Sequence, residues 1–521
     1  MSLAVDSNDF SEELHNLPFR WEVSFPSNLR LRNLRVFQSF ESAIIVNTTS
    51  RLTRWTAHGI EGDLAERWTV SPDGRKVHFF LRRDGRFSDG VLIKATDVVW
   101  SIQRHFALKG QLYDEFATVI EGAAHISTPD DVVSGIRLLN DFEFVVTLEH
   151  PSRRIIDWLF GTLPTSIFKR HSISSSEDDI STDYPASGLY VIKEFSKERV
   201  VLKLNLEHWL ASEKDIIREV VITPAGKRAQ LELLLEGQTD FSRKVFASRI
   251  DKKELSQKGL QFVAKDPICM FLRANFSGPV LSKIPGLSSL INGLIDRNKL
   301  VNAIDNRIFK SKPKPIFSWS SGIESISNQF GEFSSSLVVE FIRNIQCDYP
   351  EVYLENCIIN IGIAQDSEES LEVGAKLSLQ LGEIGIKTLI VFKSQADISA
   401  AEQDSTTDFT LTSYEFSLDE PALTLPYLVG LNSQRMHLPP GHPVYKYKQR
   451  LSNWPDKNDQ VEILREFNII MRKEGIIIPL FADDSFDVFS NRFDISRVPP
   501  CTFYWRISDL RCRHLPDIET Q

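Results

Sequence analysis

The sequence predicts an α/β protein with mixed sheets, and three observations support that class. First, the chain of 521 residues exceeds the length at which a single hydrophobic core stops growing, so two or three domains are expected. Second, 42% of the residues are hydrophobic and 25% are charged, which is typical of globular proteins that bury large cores. Third, strand and helix patterns alternate through both halves of the chain.

The stretch VSPDGRKVHFFLRRDGRFSDG, residues 70–90, predicts a small unit of strands and turns. Pro72 presets a turn and Gly74 accepts a positive φ, so SPDG is expected to join the two strands of a hairpin. The following ATDVVWSIQRHF predicts a helix with Thr96 as its N-cap. The apolar face of this helix holds Val98, Val99, Ile102 and Phe106. The unit is therefore predicted to be a small α+β domain.

Later segments continue the alternation of strand and helix. VVITP, residues 220–224, predicts a strand, and RAQLELLLEG predicts a short helix that ends at a glycine. EESLEVGAKLSLQLGEIGIKTLIVF predicts a helix, a turn at Gly385 and a strand, which together form half of a βαβ unit. A further helix over about 456–474 is expected to end at Gly475, before the buried strand IIIPLF.

Charge and hydropathy exclude several classes of partner. The formal net charge of −10 and the lack of a long basic run argue against nucleic acid or an anionic membrane as a partner. No apolar run reaches the roughly 18 residues of a membrane-spanning helix, so membrane insertion is not expected. The N-terminal MSLAVDSNDFSEEL lacks a basic region followed by an apolar one. We therefore expect either a cytosolic protein or one whose export signal has been removed.

The five cysteines leave the redox compartment open. They form a sparse set without a CxxC pair. Two pairings, Cys347 with Cys357 and Cys501 with Cys512, are compatible with disulfides in an oxidising compartment. Isolated buried thiols are the alternative.

No pattern in the sequence predicts an enzyme or a cofactor. The motifs GxSxG, HExxH, GxGxxG and the phosphate-binding GxxxxGKS/T are all absent. His437 and His442 lie five apart in HLPPGH, but two histidines without a cysteine or carboxylate partner are more typical of a loop than of a metal site. Trp319 is either a stacking surface or a loop-packing residue. We expect no catalysis, no cofactor and no metal.

The order of the motifs carries a family resemblance. LAERWTVSPDGRKVHFFLRRDGRFSDGVLIKATDVVWSIQR resembles the hallmark segment of the extracellular solute-binding proteins of family 5, the oligopeptide, dipeptide and nickel type. Further segments resemble the family in the same order along the chain: ASGLY, VVLKLNLEHW, LELLLEGQTDF, GLIDRNKLVNAI, AKLSLQLGEIGIKTLIV and FNIIMRKEGIIIPLF. Each segment alone is weak, but their shared order and spacing from about residue 35 to 490 are specific.

The resemblance implies a two-lobed periplasmic-binding-protein-like fold with an extra small α+β domain and a ligand cleft between the lobes. Its domain division places lobe one in 1–55, 156–265 and 478–521, the accessory domain in 56–155 and lobe two in 266–477. It further implies a monomeric receptor of an ABC importer, in the periplasm or at the cell surface. Such a receptor captures a peptide or other small molecule by lobe closure and delivers it to the membrane permease.

A cytosolic ligand-sensing module with the same fold is the alternative function. It is motivated by the lack of an export signal at the N-terminus. Such a sensor normally needs an output domain, and the roughly 40 residues before the family core are too few for a DNA-binding one. The sequence therefore favours transport.

Candidate ligand residues follow from the resemblance. YEFSLDEPALT matches a ligand-contacting loop of the family and puts Tyr414 in its aromatic position, with a core role as the alternative. Ser417 stands where peptide-binding members have the carboxylate that grips an α-amino group, so recognition of a free peptide N-terminus is not expected. Asp419 and Glu420 are candidates for holding a cationic group, although Asp419 equally fits a turn cap.

A second set of candidates lies nearer the N-terminus. In TSRL, the resemblance directs Thr49, Ser50 and Arg51 towards the cleft. The Arg51 guanidinium suits bidentate recognition of a carboxylate or phosphate, and a solvated surface arginine is the alternative. Asn275 in FLRANF matches an asparagine of the family pattern. Ser417 and Arg51 together favour an acidic or modified small molecule, while the scaffold itself does not determine the ligand.

Overall fold

The computed structural model describes most of the chain, and every structural statement below concerns that part. The described residues are 17–34, 39–110, 112–152, 155–225, 230–250, 252–304, 311–316, 358–399, 405–415, 438, 441–452, 457–499 and 505–513.

Strands and helices alternate along the described residues, as the sequence predicts. The strands are β1 (Phe19–Val23), β2 (Thr53–Thr56), β3 (Gly59–Gly62), β4 (Ala65–Val70), β5 (Lys76–Leu81), β6 (Ile136–Asn140), β7 (Glu143–Thr147), β8 (Tyr190–Phe195), β9 (Val200–Leu204), β10 (Glu219–Pro224), β11 (Phe241–Phe246), β12 (Gln261–Ala274), β13 (Lys314–Pro315), β14 (Ile358–Ala364), β15 (Lys387–Lys393), β16 (Phe409–Glu415), β17 (Ile477–Phe489), β18 (Phe493–Asp494) and β19 (Arg511–Cys512). The α-helices are α1 (Ser39–Thr48), α2 (Ala95–Ala107), α3 (Tyr113–Phe116), α4 (Gln230–Leu235), α5 (Lys252–Gln257), α6 (Leu287–Leu294), α7 (Arg297–Ala303), α8 (Glu368–Glu383), α9 (Gln395–Ser399), α10 (Pro443–Ser452) and α11 (Lys457–Glu474).

One large mixed sheet runs through the molecule in the order β15-β14-β16-β12-β17-β11-β1-β10-β9-β8, with the short β13 also paired to β17. We call β11, β1, β10, β9 and β8 the first half-sheet, and β15, β14 and β16 the second half-sheet. Among the described strands, the long β12 and β17 lie between the two half-sheets, because β17 pairs with β11 on one side, β12 pairs with β16 on the other, and the two pair with each other. These two strands therefore connect the two halves of the molecule.

Both connecting strands carry bulges, and a proline lies at each. The β12–β17 register shifts between Lys265 and Ile268, where Pro267 lies, and again where Phe271 pairs with Pro479. Proline has no N–H to donate to a ladder, so within a sheet it is confined to edges and bulges. At the first bulge, the hydroxyl of Ser485 donates a 2.7 Å hydrogen bond to the carbonyl oxygen of Asp266. The sheet bends where its regular pairing is interrupted.

The predicted α+β unit is present as a separate layer. Its sheet has the order β4-β5-β7-β6, and Gly74 in the β4–β5 turn has φ 69°, as the hairpin prediction requires. Helix α2 packs Val98, Ile102 and Phe106 into a core that we call the accessory core, whose largest members are Phe79, Phe87, Phe106, Phe144 and Phe160. This core buries the predicted helix face.

The predicted N-cap of α2 is wrong. The chain enters the helix from an extended Lys94, and the backbone N–H of Lys94 donates to Asp97 Oδ2 at 3.0 Å. Thr96 already lies in the first turn, where its side chain is past the position of a cap. The carboxylate three residues after Lys94 therefore supplies the cap that the threonine was expected to provide.

The predicted βαβ half is confirmed as a complete unit in the second half-sheet. Strands β14 and β15 are parallel, and α8 between them buries Val373, Leu377 and Leu381. Gly385 after α8 has φ 84° and makes the turn into β15. Helix α11 likewise buries Leu464, Phe467 and Met471 before Gly475, which has φ 61°.

Candidate functional site

The carboxyl ends of the parallel strands of the two half-sheets point towards each other. In the first half-sheet, β1 and β10 are parallel to β11, which runs from the level of Phe489 to that of Ser485 on β17. In the second, β14 and β15 are parallel to β16, which runs from the level of Ala274 to that of Ile268 on β12. Ligands of open α/β sheets bind outside the carboxyl ends of strands. The space between the half-sheets is therefore the candidate site.

Tyr414 lies at this site, next to the last residue of β16. It pairs with Cys269 on β12 and its half-buried ring packs against the accessory core. The same ring also packs against a core on one face of the second half-sheet, formed by Cys269, Phe467 and their neighbours. Tyr414 thus contacts two separate parts of the molecule at once.

Lys244 approaches Tyr414 from the first half-sheet. Its Nζ lies 5.8 Å from the centroid of the Tyr414 ring, within the range of a cation–π interaction. Lys244 lies in a bulge of β11, where the register with β17 shifts between Ser242 and Val245. A cationic side chain and an aromatic ring therefore face each other from opposite half-sheets.

The bulge holds Lys244 in a backbone conformation that lysine rarely adopts. Its φ is 57°, and its N–H donates to Asp487 Oδ1 at 3.1 Å. The Asp487 carboxylate also lies 3.5 Å from Nζ of the buried Lys265, which donates to the Pro499 carbonyl oxygen at 2.5 Å. Bulges and left-handed residues cluster at functional sites because they re-aim a side chain. Here this network directs Lys244 towards the other half-sheet.

The predicted segment Thr49–Arg51 is fully buried at the end of α1. Thr49 Oγ1 donates to the Ile45 carbonyl oxygen at 2.7 Å and lies within hydrogen-bond distance of Ser166 Oγ, at 2.9 Å. The Ser50 hydroxyl donates to the carbonyl oxygen of Ser187 at 2.8 Å. These hydrogen bonds engage the two hydroxyls within the protein and fix the segment next to the accessory core, which includes Leu52.

Arg51 belongs to a buried charged group. Its backbone N–H donates to Asp63 Oδ2 at 2.8 Å, and Arg506 Nη2 donates to the same oxygen at 2.5 Å. Burial alone raises the pKa of Asp63, but the charges of Arg506 and Arg51 outweigh burial and hold this pKa below its usual range. The carboxylate therefore stays ionised between two guanidinium-bearing residues.

Asn275 lies at the far end of the second half-sheet from Tyr414. Its Nδ2 donates to the Thr407 carbonyl oxygen at 2.9 Å, and its Oδ1 accepts from the Ser277 N–H at 3.1 Å. Tyr414 pairs with Cys269 on β12. Cys269 lies six residues before Asn275, which corresponds to roughly 20 Å along a strand. The structure does not bring these two predicted residues together.

The remaining sequence-predicted positions divide as follows. Ser417, Asp419 and Glu420 lie outside the described residues. Of the others, Tyr414 reaches the space between the half-sheets, Thr49–Arg51 are enclosed beside the accessory core, and Asn275 holds a loop. Their roles in ligand binding stay predictions.

Sequence reasoning missed three features of the site. Lys244 carries no local signal, because its conformation depends on the distant Asp487. Arg249, which pairs with Glu368 at 2.7 Å and with Glu369, has no signal either. Asp366 was detectable in principle, because it follows β14 and precedes the N-cap Ser367 of α8. Polar residues between a strand end and a helix start commonly face a site.

The described residues contain no candidate for a metal centre or a membrane span. No group of three or more His, Cys, Asp or Glu side chains within that part of the chain is arranged to hold a metal. Within the same residues, no helix combines the length and apolar character that crossing a bilayer requires. Cys269 and Cys512 are buried free thiols, whereas Cys347, Cys357 and Cys501 lie outside the described residues.

Comparison with known proteins agrees with this architecture. The murein tripeptide binding protein MppA of Escherichia coli superposes with a TM-score of 0.74 at 16% identity, covering 95% of this chain and 98% of that one. This likeness confirms the predicted two-lobed α/β fold with mixed sheets.

The sequence relatives match this chain over a smaller part of its length. The "Probable di/tripeptide-binding protein 5" of Pseudomonas aeruginosa is 24% identical over 255 residues, or 46% of this chain and 47% of the relative. The "Probable D,D-dipeptide-binding periplasmic protein DdpA" of Escherichia coli is 21% identical over 346 residues, or 65% of this chain and 59% of the relative. The chain thus matches about half to three fifths of the length of these relatives.

The family model described as "Bacterial extracellular solute-binding proteins, family 5 Middle" matches residues 59–330, which is more than half of the chain. The match includes the β4-β5-β7-β6 sheet of the α+β unit, the first half-sheet strands β8 to β11 and the connecting strand β12. The chain therefore belongs to the bacterial extracellular solute-binding proteins of family 5.

Proposed function

We propose that this protein is the solute-binding receptor of an ABC importer, which captures a peptide or other small molecule by closing two lobes around it. The observation that carries the proposal is the approach of Tyr414 and Lys244 from the carboxyl ends of two half-sheets. Two bodies that share only two strands are suited to hinge closure about a ligand.

The lobes of this proposal correspond to the two half-sheets. Lobe one combines the N-terminal residues 1–55, the middle segment 156–265 and the C-terminal strands, and the accessory domain is 56–155. The register shift after Lys265 supports a first crossing into lobe two at 266. For the second crossing we favour Asp484 over 478, because β17 gains β11 as a partner only from Ser485 onwards. The two crossings then lie side by side and form one hinge.

Short peptides are the ligand class we favour. Both sequence relatives and MppA are named for peptide ligands, which supports this choice. Within the site, Tyr414 offers an apolar face and Lys244 a positive charge suited to a carboxylate. We propose that Thr49–Arg51 form the wall behind this pair and that Ser417 and Asp419 complete the pocket. Ser417 in place of a carboxylate favours a ligand that is not gripped by its free amino group.

We further propose where the protein works and which protein it binds. The chain is proposed to work as a monomer in the periplasm or at the cell surface, without catalysis. Its protein partner is the membrane permease of the importer. The periplasmic relative DdpA supports this location.

A panel of synthetic di- and tripeptides, free and with amidated C-termini, tests the proposal by isothermal titration calorimetry. We expect at least one member to bind, and Tyr414→Ala to weaken it roughly tenfold or more, because aromatic anchors dominate binding energy. Lys244→Met is expected to weaken the peptide with a free carboxylate and to leave its amidated counterpart unchanged. Tyr113→Ala is a matched control, because it removes another half-buried tyrosine that packs on the same accessory core.

Two results would contradict the proposal. One is a full set of peptides without measurable heat, together with no change in small-angle scattering when cell extract is added. The other is equal weakening by Tyr414→Ala and Tyr113→Ala, which would place Tyr414 in the core rather than in the site.

A further inference from the structure

A second group of contacts joins the two half-sheets, away from Tyr414. Ser24 follows the carboxyl end of β1, and its hydroxyl donates to Asp366 Oδ2, which follows β14, at 2.5 Å. The same Ser24 oxygen accepts the backbone N–H of Ala396 in α9 at 3.1 Å. One serine side chain therefore makes two hydrogen bonds to the opposite half of the molecule.

Ser27 repeats the arrangement three residues later. Its N–H and its hydroxyl both donate to Asp397 Oδ1, at 3.2 and 2.9 Å. Like Ser24, it comes from the loop after β1, and Asp397 comes from α9, next to the carboxyl end of β15. Both serines thus bind carboxylates that follow strands of the second half-sheet.

The two acceptor carboxylates are held in position from their own side. Asp366 Oδ1 accepts the N–H of Gln395 at 2.9 Å, and Asp397 Oδ2 accepts the hydroxyl of Ser394 at 2.7 Å. In each carboxylate one oxygen is fixed within the second half-sheet and the other faces a serine of the first. Acceptors that are already oriented lose little entropy when a partner arrives.

These contacts depend on how the half-sheets are placed. Ser24 and Asp366 are 342 residues apart, and Ser27 and Asp397 are 370 apart. Among the strands that the structure describes, β12 and β17 alone join the two half-sheets within the large sheet. Rotation about the bulges of those strands would separate the serines from the carboxylates, whereas neither side needs the contact to keep its own hydrogen bonds.

We propose that Ser24, Ser27, Asp366 and Asp397 form a latch that stabilises the closed arrangement of the two lobes. This inference rests on the proposed function, because it assigns these residues a positioning role in ligand capture. The latch holds the edge of the cleft next to β1, independently of what occupies the space at Tyr414.

Arg249 makes a further contact between the same two sides. It pairs with Glu368 and Glu369 in the first turn of α8, and the N–H of the neighbouring Ser248 donates to Asp483 Oδ2 at 2.8 Å. Asp483 lies at the first bulge of β12 and β17, so Arg249 is close to the axis of bending. The serine variants leave these ion pairs in place, so they test the serine contacts alone.

Small-angle scattering of the ligand-free protein tests the latch without any assumption about the ligand. Ser24→Ala with Ser27→Ala is expected to lower the ratio of closed to open protein roughly tenfold, equivalent to about 1.4 kcal/mol, and so to raise the radius of gyration. Hydrogen exchange at the Ala396 amide, which donates to Ser24, is expected to accelerate. Ser71→Ala is a matched control, because Ser71 donates to Asp73 within one turn of the accessory domain.

Asp397→Asn provides a second variant that weakens the same contact from the other side. It is expected to raise the radius of gyration, as the double serine variant does. Its melting temperature is expected to equal that of the Ser71→Ala control. Unchanged scattering and unchanged Ala396 exchange in both variants would overturn the latch. A wild-type protein that already scatters like the double variant would overturn it equally. Because no ligand is present, these results are independent of whether peptides bind.

Discussion

Burial of Glu41 makes the stability of the protein depend on pH. It lies in the first turn of α1, the helix that leads to Thr49–Arg51, and it is 1% exposed. Burial raises its pKa to about 7, although Arg32, which donates to Oε1 at 2.7 Å, lowers it in part. The raised pKa means that the folded state binds this proton more tightly than the unfolded state does.

The resulting contribution to stability is complete below the ordinary pKa of 4.5 and is lost as the pH rises through about 7. Between pH 5 and pH 8, a shift of this size corresponds to a loss of about 2.5 kcal/mol in the free energy of unfolding. Glu41→Gln is neutral at every pH, so we expect it to remove this loss. The variant should resemble the wild type at pH 5 and be more stable than it at pH 8.

Urea unfolding at pH 5, 6.5 and 8 measures this difference directly. Glu198→Gln, at an exposed position in the turn between β8 and β9, controls for the change in net charge. The reasoning is refuted if Glu41→Gln and the wild type lose stability equally between pH 5 and pH 8.

Two further predictions concern close packing beside Thr49 and the hydrogen bonds of Asn275. Gly188→Ala should destabilise the protein by roughly 1–3 kcal/mol, because a Cβ there would lie 2.5 Å from the backbone of Thr49; a melting temperature equal to that of the wild type would argue against this close approach. Asn275→Ala should cost about 1–3 kcal/mol through the lost hydrogen bonds to Thr407 and Ser277, without weakening peptide affinity. A loss of affinity with intact stability would instead support its predicted role as a ligand residue.

Patterns in the sequence predict those elements that are determined by residues close together in the chain. The face of α2, the turn at Gly74 and the β14–α8–β15 unit all follow from periodicity and turn chemistry. By contrast, IIIPLF predicts only the start of β17, which continues to Phe489. Asp483, Asp484 and Ser485 interrupt the apolar run, and the strand continues because β11 and β12 supply partners from elsewhere in the chain.

The same distinction applies to the residues of the candidate site. The resemblance to the family identifies Tyr414, because its aromatic position belongs to a motif that can be read in the sequence. It does not identify Lys244, whose left-handed conformation depends on a hydrogen bond to Asp487, 243 residues away. The latch is equally invisible, because it exists only when two half-sheets meet.

Closure of the two lobes on a bound ligand is tested most directly by small-angle scattering with and without the di- and tripeptide panel. We expect a peptide that binds by calorimetry to lower the radius of gyration, and Tyr414→Ala to require a higher concentration of that peptide for the same change. A peptide that saturates the protein while the scattering curve stays unchanged would contradict it.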